Sequence, residues 1–242
     1  MSGHLRDRLW VVLAVCCYET AFGQAALPVP NVPFSADQVI ISTRVGTDGK
    51  FTETRESHRV YRDSAGHLRE GATPRFDAAA GMEEVFVMIH DPIVGVMYAL
   101  ETPKQIAHRI VFPKMPDGRP VEMSSSFGIP SPGGKTPKGK PTVKHEMLGT
   151  QTFQGIEAQG GRSTFTWPSE EQDNGREVVS IDERWISKEL GMALLLKRTD
   201  PNTDSAIMRL ENIKREEPAS DLFLVPLGYQ IIDMPMDVPP QK

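Results

Sequence analysis

From about residue 37 onward the chain alternates apolar and polar residues in short runs, and each run ends in a cluster of Gly, Pro, Asn or Asp. A period of two suits a half-buried strand, whose successive side chains point to opposite faces, and it does not suit a helix. Val39, Ile41, Thr43 and Val45 alternate with Gln38, Ser42 and Arg44. Thr47-Asp48-Gly49 then supplies a turn that tolerates positive φ. Phe51 to Arg62 reads as a strand with little apolar cover, Asp63-Ser64-Ala65-Gly66 reverses the chain, and His67 to Glu70 pairs back.

Met82–His90 and Val94–Leu100 are the most apolar early strands, joined by Asp91-Pro92-Ile93, where proline presets φ for a tight reversal. Gln105–Phe112 follows. The second half repeats the rhythm in Val143–Phe153, Ile156–Trp167, Glu177–Ile186, Met192–Arg198 and Ala206–Arg215. Pro218–Leu222 fits one helical turn, and Val225–Ile232 returns extended. No long segment carries a 3.6-residue period. The expected fold is mainly β: a single curved antiparallel sheet, a half-barrel-like meander with little helix.

Residues 113–141 interrupt this rhythm with seven prolines, five glycines and the basic cluster Lys135, Lys138 and Lys140. Such a segment buries too little apolar surface to offset its ordering entropy, so it reads as a mobile insertion in one sheet. The domain plan is then a leader over 1–23, an extended lead-in over 24–36, one β-rich domain over 37–233, and a disordered tail over 234–242.

The leader has a recognisable layout. Arg6 and Arg8 precede the apolar run Leu9–Cys17, and Ala21-Phe22-Gly23 supplies a small-x-small cleavage site, as in a secretory signal peptide. The run is too short to span a bilayer, so no transmembrane helix is expected and the protein is read as exported, to the periplasm or beyond. Cleavage after Gly23 removes both cysteines, Cys16 and Cys17, and leaves neither disulfide nor thiol chemistry. A net charge of −5 and 7% aromatic content oppose nucleic-acid binding, which needs concentrated cations and stacking platforms.

Catalytic patterns are near misses. Gly133-Gly134-Lys135-Thr136 lacks the first glycine of a phosphate loop, because Ile129 stands there, and Pro130, Pro132 and Pro137 remove backbone donors. His58, His67, His90, His108 and His145 show no helical ligand spacing, and His90-Asp91 is the nearest approach to a usable pair. The adjacent carboxylates Glu83-Glu84, Asp182-Glu183 and Glu216-Glu217 would point to opposite faces of a strand. No catalytic residue, metal ligand or cofactor is assigned.

One stretch is sharper. Val179, Ile181, Glu183 and Trp185 share one face of the strand Glu177–Ile186. Trp185 either fills the core or lines an apolar cavity. In the cavity reading, Val179, Ile181 and Trp185 face Val94, Val96, Tyr98 and Leu100, so that Trp185, Ile181, Val179, Tyr98 and Val96 are the candidate ligand-binding residues.

Five blocks carry a family likeness: Val60–Gly66, Asp91–Tyr98, Leu148–Gly155, Glu183–Ser187 and Asp221–Tyr229. Together they resemble a family of uncharacterised exported bacterial proteins, over roughly residues 38–233. The ending Leu222-Phe223-Leu224-Val225-Pro226-Leu227-Gly228-Tyr229 is similar to that of envelope families with the LolA/LolB-like lipoprotein-carrier fold. That resemblance implies a curved antiparallel sheet, and it assigns no residue a role. The leading expectation is an exported, non-catalytic sheet protein that binds a lipid or other apolar ligand, or an envelope protein. A purely structural interaction protein and a hydrolase with a site assembled across strands stay open beside it.

Overall fold

The computed structural model describes residues 32–46, 49–71, 75–77, 82–84, 86–102, 104–113, 137–199 and 205–235. The expected leader, most of the insertion and the end of the tail lie outside them. The strands are β1 (Phe34–Val45), β2 (Phe51–Arg62), β3 (Leu68–Gly71), β4 (Arg75–Asp77), β5 (Met82–Glu84), β6 (Phe86–Asp91) and β7 (Val96–Glu101). They continue as β8 (Ile106–Val111), β9 (Thr142–Phe153), β10 (Ile156–Trp167), β11 (Val178–Ser187), β12 (Met192–Thr199), β13 (Ser205–Lys214) and β14 (Gln230–Met234). Twelve form one sheet in the order β14-β8-β7-β6-β3-β2-β1-β13-β12-β11-β10-β9, and β4 and β5 form a two-stranded sheet of their own. The fold is mainly β. Single 3-10 turns at Ser169–Glu171 and Ser220–Phe223 are the helical elements among the described residues.

Two features depart from a simple antiparallel meander. Met82–His90 is two strands rather than one: β5 pairs with β4, while β6 pairs with β3 and β7. Val85 to Ile89 is an unbroken apolar run behind Glu83-Glu84, with no Gly, Pro, Asn or Asp to mark a break, and apolar character does not say which neighbour a segment joins. The other departure is β14, which runs parallel to β8, with Gln230 opposite Ile106 and Met234 opposite Ile110. β1 also begins at Phe34 and so takes in Phe34–Ala36, three residues assigned to the lead-in.

The chain divides into two compact units. Among the described residues the first comprises 39–46, 49–56, 137–199 and 205–210. Its strands β9 to β13 follow one another antiparallel. Gln154 (φ 49°) and Gly155 (φ 79°) make the two-residue turn between β9 and β10, the left-handed pair that a right-twisted hairpin needs. The register of β9 slips by one residue opposite Gly160/Gly161, beside Gly149 at φ 81°, which places a bulge in that strand.

The buried face of this unit follows from register. Leu196 stands opposite Met208 and Arg198 opposite Ala206, so Leu196, Ala206 and Met208 share a face and are buried there. Asp182 stands opposite Arg198 on the same face and accepts two hydrogen bonds from its guanidinium, both at 2.7 Å. Asp182 is nearly inaccessible, whereas Arg198 keeps a partly open edge. Removing the carboxylate would strand a largely buried cation. Asp182→Ala is therefore expected to destabilise the fold toward the low end of ~3–5 kcal/mol, whereas Asp182→Leu with Arg198→Met should recover most of that loss. Urea denaturation of the two variants checks this.

The second unit holds β3, β6, β7, β8 and β14 with the adjoining parts of β1, β2 and β13. On one face Ile89, Leu100 and Ala107 form a buried cluster, and Val87, Tyr98, Val225 and Tyr229 pack against it. The C-terminal segment is tied down by the Arg69 guanidinium, which donates to the Leu222 carbonyl at 2.8 Å, and by a two-bond pair between Arg109 and Asp233. The opposite face, by strand alternation, carries the polar residues Glu70, His90, Glu101 and His108. Glu70, Glu101 and His108 are buried. His90 Nε2 lies 3.7 Å from a Glu70 oxygen, and His108 Nε2 lies 3.4 Å from a Glu101 oxygen.

Candidate functional site

Three strands of the first unit present their second face as a set of cross-strand rows. Arg162 on β10 stands opposite Glu183 on β11, which stands opposite Lys197 on β12. One row away, Gly160 meets Trp185 and Trp185 meets Leu195. In the other direction Thr164 meets Ile181 and Ile181 meets Thr199, and beyond them Thr166 meets Val179. The face is thus apolar and closed at the tryptophan, charged in the middle, and built of threonine and aliphatic side chains at the far end.

Trp185 is buried because its neighbours make room for it. The indole lies over Gly160, so closely that a Cβ there would come within 2.7 Å of the ring. Phe153 meets the ring edge-on, with centroids 5.6 Å apart and planes at 62°. The indole N–H donates to Glu183 Oε1 at 2.9 Å, so the polar end of this large side chain is satisfied. Arg162 donates to the other Glu183 oxygen at 3.1 Å. Burial opposes the charge on Glu183, but the hydrogen bonds from Trp185 and Arg162 outweigh it and hold the carboxyl below its ordinary value. Glu183 is therefore a fixed carboxylate, with both oxygens engaged.

Next to this row is a pocket of about 300 Å³ lined by Arg162, Ile181, Glu183, Lys197 and Thr199. Its walls combine an aliphatic side chain and a threonine with one anion and two cations, a set suited to a molecule with both apolar and polar parts.

The five candidate residues fall into two groups. Ile181 lines the pocket, Trp185 closes the face one row away, and Val179 is half-buried one row to the other side. Val96 and Tyr98 belong to β7 in the second unit, where Tyr98 packs on the Ile89–Leu100–Ala107 cluster. The residues that alternation alone did not single out are Arg162, Lys197 and Thr199. They reach the pocket through the pairing register of β10 and β12 with β11.

His90 and Asp91 turn to opposite faces of β6. His90 approaches Glu70, while Asp91 lies 3.6 Å from His67 Nε2, whose Nδ1 meets Asp63 at 2.6 Å. Asp91 also accepts the backbone N–H groups of Ile93 and Val94, at 3.0 and 3.1 Å, which fixes the expected reversal at Pro92. Among the described residues no three His, Cys, Asp or Glu side chains gather as they would around a metal ion.

No family model and no curated protein matches this chain. Solved structures similar to it include an uncharacterised conserved protein from Thermus thermophilus, 10% identical, with a TM-score of 0.41, covering 96% of this chain and 99% of that one. The Pseudomonas aeruginosa MucA/MucB complex matches at 14% identity and a TM-score of 0.41, over 86% of this chain and 61% of that one. A LolA superfamily protein from Nitrosomonas europaea matches at 8% identity and a TM-score of 0.33, over 82% of this chain and 92% of that one.

Proposed function

We propose that this is an exported, non-catalytic binding protein that holds an amphiphilic molecule, with its apolar part on the face of Val179, Ile181 and Trp185. The leader over 1–23 supports export, and among the described residues no helix is long and apolar enough to cross a membrane. The observation that carries the binding reading is the pocket itself. It has about 300 Å³ of space, floored partly by Ile181 and Thr199, beside a tryptophan already held in place by Gly160 and Phe153. It is a half-open depression, and its fixed polar groups beside an aliphatic wall suit one end of an amphiphile.

A ligand that binds the folded state alone stabilises it by mass action, by about 2.7 kcal/mol at a hundredfold excess over Kd. For a domain of this size that corresponds to a rise of about 5–10 °C in Tm. Decanoate and a short-chain phosphatidylglycerol, titrated below their micellar concentrations, should raise Tm of the wild type. Ile181→Trp, which fills the pocket, should abolish the rise without lowering the starting Tm by more than a few degrees. Equal stabilisation of wild type and Ile181→Trp would place binding elsewhere, and no stabilisation of either would end this reading.

An envelope-partner reading rests on a different element. β9 ends the strand order, so its outer edge has no neighbouring strand among the described residues, and Met147 on it is 72% exposed. A partner strand added at that edge would protect the β9 amides from hydrogen exchange.

A further inference from the structure

The charged row of the pocket has more donors than acceptors. Glu183 has both oxygens occupied, one by the Trp185 indole and one by Arg162. Arg162 spends one N–H on that bond, and its Nε is buried with no hydrogen-bond partner among the described residues. A guanidinium carries five N–H donors and no acceptor, so donors remain beyond the one that Glu183 takes. Lys197, exposed on the far side of Glu183, feels the carboxylate electrostatically but makes no hydrogen bond with it. The two cations flank one anion, with backbones about 10 Å apart across three adjacent strands, a span their long side chains can close on a common group.

We propose that Arg162 and Lys197 form an oxyanion subsite in this pocket, which takes the phosphate or carboxylate group of its ligand. This rests on the amphiphile reading above and extends it by naming the polar end. Two cations against one compensated carboxylate leave one unit of positive charge. Arg162 supplies directional donors to a planar or tetrahedral oxyanion, and Lys197 supplies a mobile point charge. Ile181 and Thr199 stand in the next row, where the first carbons beyond the head group would lie.

Isothermal titration calorimetry of the full protein with three probes tests this: dodecyl phosphate, dodecyl maltoside below its micellar concentration, and inorganic phosphate. The expected result is at least about tenfold tighter binding of dodecyl phosphate than of dodecyl maltoside. Lys197→Glu should remove that preference, and Arg162→Gln should reduce it. Lys188→Glu, the same charge change in the exposed β11–β12 turn, should leave it intact. Lys197 is on the surface, so the Lys197→Glu result does not depend on how well the Arg162 variant folds. Equal binding of the two amphiphiles, unaffected by Lys197→Glu, overturns the oxyanion subsite and leaves the amphiphile reading standing. Inorganic phosphate binding as tightly as dodecyl phosphate, with the same loss in Lys197→Glu, supports the subsite and overturns the amphiphile reading. Binding of none of the three overturns both.

Discussion

Trp185→Ala should cost about 3–5 kcal/mol of folding stability, the usual range when a buried aromatic is truncated and its cavity stays open. The indole fills the space above Gly160, meets Phe153 edge-on, and donates to Glu183. Its loss opens a void and removes one of the two hydrogen bonds that hold the Glu183 carboxylate. Gly160 offers the reciprocal probe. A methyl group there would press on three carbons of the indole's six-membered ring at 2.7–2.8 Å, so the indole must shift as a rigid body. Gly160→Ala should destabilise the wild type by ~1–3 kcal/mol, the range for overpacking a filled site. In the Trp185→Ala background it should be close to neutral, because the clash has gone. Chemical denaturation of the two single variants and the double variant measures the coupling directly. Additive losses would mean that the indole does not rest on Gly160.

Glu70 and His90 should give opposite pH slopes once separated. Burial pushes the Glu70 carboxyl up to about 7 and the His90 imidazole down to about 4, from ordinary values of 4.5 and 6.5. Their side chains approach to 3.7 Å, His90 Nε2 has no hydrogen-bond partner among the described residues, and these shifts leave both groups neutral between pH 4 and 7. For Glu70, whose folded value is raised, the unfolded chain ionises first. Stability therefore falls as pH rises from 4.5 and levels off above 7. His90, whose folded value is depressed, acts in the other direction, and stability falls as pH drops from 6.5 and levels off below 4. Each effect amounts to about 3 kcal/mol across its window, from 1.36 kcal/mol per unit. The two slopes cancel between pH 4.5 and 6.5.

Glu70→Gln removes one slope. It should be about 3 kcal/mol more stable than wild type at pH 7.5 and gain nothing at pH 4. His90→Gln should show the reverse, with its gain at pH 4. Urea melts of wild type and variants from pH 4 to 8 decide between this and an ion pair. If Glu70→Gln is instead less stable at pH 7.5, the carboxylate and imidazolium are paired and charged.

Much of this architecture was legible as rhythm. The alternation over Ile156–Trp167 and Met192–Arg198 places β10 and β12 within a residue of their observed bounds, because one buried face fixes which residues point inward. Pairing was less legible. Nothing local in Gln230–Met234 says that this segment runs parallel beside β8, a partner more than a hundred residues earlier. The same limit applies to the pocket. Ile181 and Trp185 stood out on one strand, but Arg162 and Lys197 join them through cross-strand register, which a single sequence does not carry. The Gly160-Gly161 pair was the available clue, since a glycine inside a strand pattern often marks a close approach or a bulge, and here it meets both.

Native mass spectrometry of the full protein, purified from its producing cells without detergent, reads out a bound ligand. The expected result is a retained amphiphile with a phosphate or carboxylate group, bound one to one, and absent from Ile181→Trp. A wild-type protein that carries no ligand, or one whose ligand persists undiminished in Ile181→Trp, would contradict it.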